Sequence, residues 1–344
     1  MIVSLKQDAD AAAVLRALTE RGLWVAQVER GPHGGPTHYV IAPHSAAADP
    51  RELAGIDGIS AVTLPASPHP LVDAMGPAVD VGGVPVGGGA PPALFCGPCS
   101  VESKQHVAAI AARLASRGVR FLRGGAFKPR TSPYAFQGHG AEALGWLRDA
   151  ADAAGMKVVT EALSEADVPA VADHADLVQV GSRNMQNYAL LKAVGRAGKP
   201  VMLKRAMAGT LEEWLSAGEY LLANGAPGVV FCERGVRGFD ASTRNLLDLG
   251  AVALLANVAR LPVVVDPSHG AGRRDLVLPL ARAALAAGAA GVMIETHEDP
   301  GRALSDGPQA VPLDELLEHV PELAIGAAAS GAAAARRDAR GGVS

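Results

Sequence analysis

Two sets of reactive side chains stand out along this chain, and in both the members fall at or just after short apolar runs. The first set is cationic: Arg123, Lys128, Arg130, Arg183, Lys204 and Arg234. Guanidinium forks and ammonium point charges hold phosphate and carboxylate oxygens, so the expected ligands are small polyanions. The second set is Cys99, His269, Glu295 and Asp306: one thiol, one imidazole and two carboxylates. That mixture suits Mn, Fe, Co or Zn rather than Mg or Ca, which prefer oxygen donors throughout. These four lie far apart in the chain, so spacing alone cannot join them. The case rests on the elements that carry them.

From Ala93 onward, short β-branched or apolar runs alternate with amphipathic helical stretches. The runs are 93–99 (ALFCGPC), 120–126 (RFLRGGA), 157–162 (KVVTEA), 177–181 (LVQVG), 200–205 (PVMLKR), 229–234 (VVFCER), 262–267 (PVVVDP) and 291–296 (GVMIET). Strands that alternate with helices imply right-handed parallel crossovers. Eight of them predict an α/β fold, a (β/α)8 TIM barrel over residues 93–325. A six-stranded open sheet competes less well, because no G-x-G-x-x-G opens a first βα turn. Barrels of this kind build their active sites at the C-terminal strand ends. Both reactive sets lie there, together with Glu161 on the third run and Ser182 after the fourth.

The first 73 residues read differently, as β-α-β-β-α-β, the order of a small ferredoxin-like α+β domain. Residues 74–92 read as a linker with a Gly-turned hairpin near 80–89 that could plug the bottom of the barrel. The Ala, Gly and Arg segment 326–344 has no apolar periodicity and reads as a flexible tail. Aromatic residues make up only 4% of the chain, so Ala, Val and Leu must fill the core. Trp24, Trp146 and Trp214 are accounted for as core packing, and His106, with most other histidines, as a surface residue.

A net charge of −4 argues against a surface built for nucleic acid. Three cysteines, Cys96, Cys99 and Cys232, are too sparse for a disulfide-stapled secreted domain, and no signal peptide or membrane span is read. A soluble cytoplasmic protein is expected. The C-G-P-C tetrapeptide at 96–99 also occurs in dithiol oxidoreductases, but there it opens a helix in a compact fold of about 100 residues, whereas here it closes a first βα unit. Oxidation of Cys96 with Cys99 stays open as a side reaction.

At GPCS (97–100), LRGGAFKPRTSPYAFQG (122–138), VTEA (159–162), GSRNMQN (181–187), LKR (203–205), CERG (232–235), DPSHGAGRRD (266–275) and LSDG (304–307), the chain resembles the 3-deoxy-D-arabino-heptulosonate 7-phosphate (DAHP) synthases. The match is to the subfamily with an N-terminal ferredoxin-like regulatory domain, over residues 1–322. The resemblance implies condensation of phosphoenolpyruvate with erythrose 4-phosphate, the first step of the shikimate pathway. It places the divalent metal on Cys99, His269, Glu295 and Asp306. Phosphoenolpyruvate falls to Arg123, Lys128, Ser182, Arg183, Lys204 and Arg234, and erythrose 4-phosphate to Pro129, Arg130 and Thr131. It further implies a homotetramer inhibited by tyrosine or phenylalanine. Position 96 is often Ala in that family and is Cys here.

The implied chemistry agrees with the residues. A metal polarises the aldehyde, C3 of the enol attacks it, water adds at C2 and phosphate leaves with C–O cleavage. Lys128 and Glu161 are expected to manage protons around that water, with His269 third in the catalytic set. The nearest rival is 3-deoxy-manno-octulosonate 8-phosphate synthase, which carries a Lys-Ala-Asn-Arg pattern where this chain has Lys128-Pro-Arg-Thr131. A rival of another class is a metal-free sensor in which the barrel only supports an amino-acid-binding domain.

Overall fold

The computed structural model describes residues 1–30, 37–42, 44–64, 66–128, 132 and 134–338, with side chains left out at 29–30 and 326–338. The chain divides into two compact units, Met1–Pro68 and His69–Ser344.

The first unit runs β1 (Ile2–Leu5), α1 (Ala11–Glu20), β2 (Val25–Arg30), β3 (Thr37–Ile41), α2 (Pro50–Ala54) and β4 (Ile59–Thr63). Its sheet has the order β2-β3-β1-β4 with antiparallel neighbours, the ferredoxin-like arrangement. Asp10 starts α1 by accepting the N–H groups of Ala12 and Ala13. Val3, Leu5, Val14, Leu18, Tyr39 and Leu53 close the core. Trp24 is not part of it: the residue is 53% exposed, against the expectation of core packing.

The second unit opens with α3 (Pro70–Asp73) and a hairpin of β5 (Ala78–Val81) and β6 (Val84–Gly87). The expected boundary at residue 73 would leave α3 with the small domain. It belongs with the barrel because the Glu219 carboxylate accepts the N–H groups of Leu71 and Val72. Gly82 and Gly83 both have positive φ, as a two-residue turn of this hand requires.

The βα units follow: β7 (Ala93–Gly97), α4 (Lys104–Ala115), β8 (Phe121–Arg123), α5 (Ala141–Ala154), β9 (Lys157–Ala162), α6 (Val168–His174), β10 (Leu177–Val180), α7 (Tyr188–Arg196), β11 (Val201–Lys204), α8 (Leu211–Ala223), β12 (Val229–Glu233), α9 (Leu249–Ala253), β13 (Val263–Val265), α10 (Pro267–Ala271), α11 (Arg274–Ala286) and β14 (Gly291–His297). β15 (Val311–Pro312) pairs with β14, and α12 (Leu313–Asp338) ends the described chain. Strands β7 to β14 are parallel in sequence order, and pairings of β14 with both β7 and β13 close the barrel. α12 runs through most of the segment read as a tail, since an Ala-rich stretch has high helix propensity whatever its periodicity; residues 339–344 lie outside the described residues.

Side chains alternate between two cores. Leu94, Leu122, Val178, Leu203 and Ile294 face the helices, while Phe95, Phe121, Val159, Leu177, Met202, Val230, Val264 and Met293 fill the barrel interior. Val79, Val81 and Val86 of the hairpin join that interior cluster, so β5 and β6 cap it with apolar side chains. Among the described residues no helix is long and apolar enough to cross a membrane.

Candidate active site

Two residues beyond the interior apolar position on each strand, the chain places Gly97, Arg123, Glu161, Gln179, Lys204, Asp266 and Glu295, and on β12, where Cys232 adds one more interior layer, Arg234. A period of two returns each of these to the inner face one step nearer the C-terminal mouth. A polar layer therefore lies directly on an apolar one. Gly97 gives this layer its gap: its φ is +152°, and a Cβ there would run into the Arg123 carbonyl. Gly181 likewise leaves room for the Glu161 carboxylate.

At the centre Glu295, fully buried, accepts the Arg123 guanidinium at 2.9 Å and stands 3.3 Å from His269 Nε2. Its other oxygen accepts the Gln309 amide at 2.5 Å. Burial by itself would raise the Glu295 pKa, but the cationic neighbours, His269 and Arg123 foremost, hold it down at about 2. Asp266, also fully buried, caps α10 by accepting the His269 backbone N–H at 2.9 Å. Its second oxygen meets His269 Nδ1 at 2.7 Å and Lys204 Nζ at 2.5 Å. Here too burial opposes the charge, and His269 and Lys204 overcome it, leaving Asp266 well below the carboxylate range.

Cys99 Sγ lies 3.2 Å from Asp306 Oδ2 and 2.9 Å from Lys128 Nζ. Burial, with Glu295 adding to it, pushes this thiol up to about 12 against the pull of Lys128. For Lys128, burial disfavours the ammonium, and Cys99 with Glu295 more than offsets it, so the pKa is raised. Donor atoms of Cys99, Glu295 and Asp306 lie within 4.8 Å of one another, and His269 Nε2 adjoins them. With a thiol, two carboxylates and an imidazole whose Nδ1 is already oriented by Asp266, the residues fit a divalent transition metal.

Around this cluster a cleft of about 450 Å³ is lined by Arg123, Lys128, Glu161, Gly181, Ser182, Arg183, Lys204, Arg234, His269 and Asp306 from the two predicted sets and their neighbours, and also by Ser132, Ala135, Gln179, Asn184, Met207 and Arg244. Arg123 Nε and Arg234 Nη1 are buried without a hydrogen-bond partner among the described residues. Burial pushes the Arg234 pKa down, with Arg244 and Arg183 adding repulsion. Such cations are set up to receive an anion. Pro129, Arg130 and Thr131 lie outside the described residues. Cys96 and Cys232 are free and buried, Cys96 toward the helices and Cys232 in the barrel interior.

Sequence reasoning gave no role to Asp266, Gln179, Gln309 or Arg244. The first had a signal: an Asp before Pro and three before His is a helix cap that also reaches the imidazole. The others come from positions with no local pattern.

A closed parallel barrel with a transition-metal donor set and a polyanion cleft at its C-terminal mouth defines a class, the barrel enzymes that act on small phosphorylated or carboxylated substrates. The family model described as "DAHP synthetase I family" matches residues 67–324. A phospho-2-dehydro-3-deoxyheptonate aldolase of Thermotoga maritima is 49% identical over 245 residues, 71% of this chain and 72% of that protein. Its crystal structure superposes with a TM-score of 0.74 at 40% identity, covering 96% of this chain and 98% of the other. A 2-dehydro-3-deoxyphosphooctonate aldolase of Methylibium petroleiphilum is 35% identical over 67% of this chain and 88% of its own length. This chain belongs to the DAHP synthetase I family.

Proposed function

We propose that the cleft condenses phosphoenolpyruvate with erythrose 4-phosphate to DAHP and inorganic phosphate, the first step of the shikimate pathway. The observation that carries this reading is the meeting, around one cleft, of buried guanidinium nitrogens of Arg123 and Arg234 that have no hydrogen-bond partner among the described residues with a thiol, imidazole and carboxylate donor set. Family membership and the 49% identical heptonate aldolase select the four-carbon acceptor over the five-carbon one of the more distant octonate enzymes.

Cys99, His269, Glu295 and Asp306 would hold the divalent metal, with Mn, Fe, Co and Zn all matching the donors. Bound there, it supplies Lewis-acid polarisation of the aldehyde oxygen. Arg123, Arg183, Lys204 and Arg234, with Ser182, hold the phosphate and carboxylate of the enol, and Pro129, Arg130 and Thr131 receive the sugar phosphate. Fixing both anions places C3 of the enol against the aldehyde carbon, where proximity supplies much of the rate. Lys128, kept protonated, serves as the proton donor. Glu161, oriented by Gln179 at 2.9 Å, accepts a proton from the water that adds at C2 as phosphate leaves. The unit Met1–Pro68 is assigned to feedback binding of tyrosine or phenylalanine in a tetrameric, cytoplasmic enzyme.

Following the loss of phosphoenolpyruvate absorbance with erythrose 4-phosphate and with arabinose 5-phosphate, each with Mn²⁺ and with chelator, tests the reading. Consumption only with the four-carbon sugar, abolished by chelator, is expected. Preference for arabinose 5-phosphate would overturn the acceptor, and turnover that survives chelation would overturn the metal.

A further inference from the structure

A second group of metal-capable side chains stands beside the first: Glu102, His106 and His297, with donor atoms within 4.8 Å of one another. One proton decides what they do. The backbone N–H of Asp299 donates to His297 Nδ1 at 3.0 Å, so that nitrogen bears no hydrogen and the neutral ring carries its proton on Nε2. Nε2 faces Glu102 Oε2 at 3.4 Å, and a protonated ring nitrogen has no lone pair for a metal. Glu102 and His297 therefore form a strut, and the His106 ring braces it at 4.3 Å between centroids.

The strut reaches a ligand of the first group. Glu102 Oε1 accepts the backbone N–H of Leu304 at 2.7 Å, two residues before Asp306. One carboxylate thus grips the loop after β14 at its start, through His297, and near its end, through Leu304. Asp306 itself has φ +51°, a left-handed conformation that a residue other than glycine holds only when its surroundings impose it. The Ser100 and Ser305 hydroxyls bond beside it.

We infer that Glu102 is a positioning residue that holds Asp306 where it completes the metal-ligand set, a role that rests on the metal reading given above. Mn²⁺ affinity of the purified full-length protein, measured by titration calorimetry for the parent, Glu102→Ala, Asp306→Ala and the double variant, tests it. The expected result is a loss of about 10–100-fold for Glu102→Ala. Asp306→Ala should also bind weakly, and the double variant no more weakly than Asp306→Ala alone, because Glu102 acts only through that residue. Full affinity in Glu102→Ala, or additive losses in the double variant, would overturn the role while leaving Asp306 a ligand. Parent-like affinity in Asp306→Ala would instead sink the assignment of that ligand, and the positioning role with it. Glu102→Gln, which keeps an oxygen for Leu304, should recover part of the loss and carries the same cycle should the alanine variant fail to fold; no recovery counts against the Leu304 bond. A second Mn²⁺ per chain that disappears in His106→Ala would overturn the strut.

Discussion

Replacing Asp266 with Asn changes one oxygen to an amide and separates two jobs that a single carboxylate performs. The retained oxygen still caps α10, so the helix start survives. The new amide group donates where the carboxylate accepted, so it opposes a proton on His269 Nδ1, which now lies 2.7 Å from Asp266. The proton moves to Nε2, the nitrogen facing Glu295 and the metal position. A charge-assisted hydrogen bond is worth about 1.5–3 kcal/mol, which at about 1.4 kcal/mol per decade gives a loss of roughly 10- to 150-fold in metal affinity. The second job is pairing with Lys204, 5% exposed in its side chain. An unpaired buried ammonium costs about 3–5 kcal/mol of stability. Adding Lys204→Met removes that charge, so the double variant should regain thermal stability and keep the metal defect. Calorimetric Mn²⁺ titration and thermal unfolding of the metal-free proteins read the two terms separately. Parent-like affinity in Asp266→Asn, or metal binding restored by Lys204→Met, would refute the tautomer argument.

Three shorter predictions follow from the same geometry. Because burial keeps the Cys99 thiol protonated, with a pKa of about 12, a metal that binds the thiolate must expel one proton. Calorimetry across buffers of different ionisation enthalpy should show one fewer proton released on Mn²⁺ binding, and a pH dependence of affinity shallower by about tenfold per pH unit through pH 6 to 8, in Cys99→Ser than in the parent; an unchanged proton count would count against it. Gly97→Ala, which drives a methyl into the Arg123 carbonyl, should lower the thermal midpoint by about 2–5 °C, from roughly 1–3 kcal/mol of backbone strain alone. Lys128→Ala should reduce kcat by at least about 100-fold with metal content unchanged by elemental analysis, and near-normal turnover would remove Lys128 from proton transfer.

The barrel was legible because each strand carries its own apolar run and ends on chemistry, and the pattern repeats eight times. The gathering of Cys99, His269, Glu295 and Asp306 depends on barrel closure, which follows from that count. What stayed hidden was non-local. Nothing near Leu71 announces that Glu219 will cap it, and nothing near Gln309 shows that it will meet Glu295. Gln179 reads as an ordinary strand residue until the inner face is assigned. The segment beyond Gly326 shows no apolar periodicity, yet alanine's own preference for helix carries α12 on to Asp338. His106 looked like a surface residue on an amphipathic helix, yet both ring nitrogens are buried beside His297.

The stacking of one polar layer on one apolar layer makes the eight strands behave like lines of text set in a common frame. A one-residue insertion or deletion within β8, for instance, would turn Arg123 toward the helices and bring a leucine to face the substrates. The same slip would put a charge into an oily shell, so catalytic failure and misfolding would come from a single event. Length variation in relatives should therefore be confined to the segments between strands and helices, and changes of substrate should arise there by substitution or loop exchange, with the frame of the strands left intact.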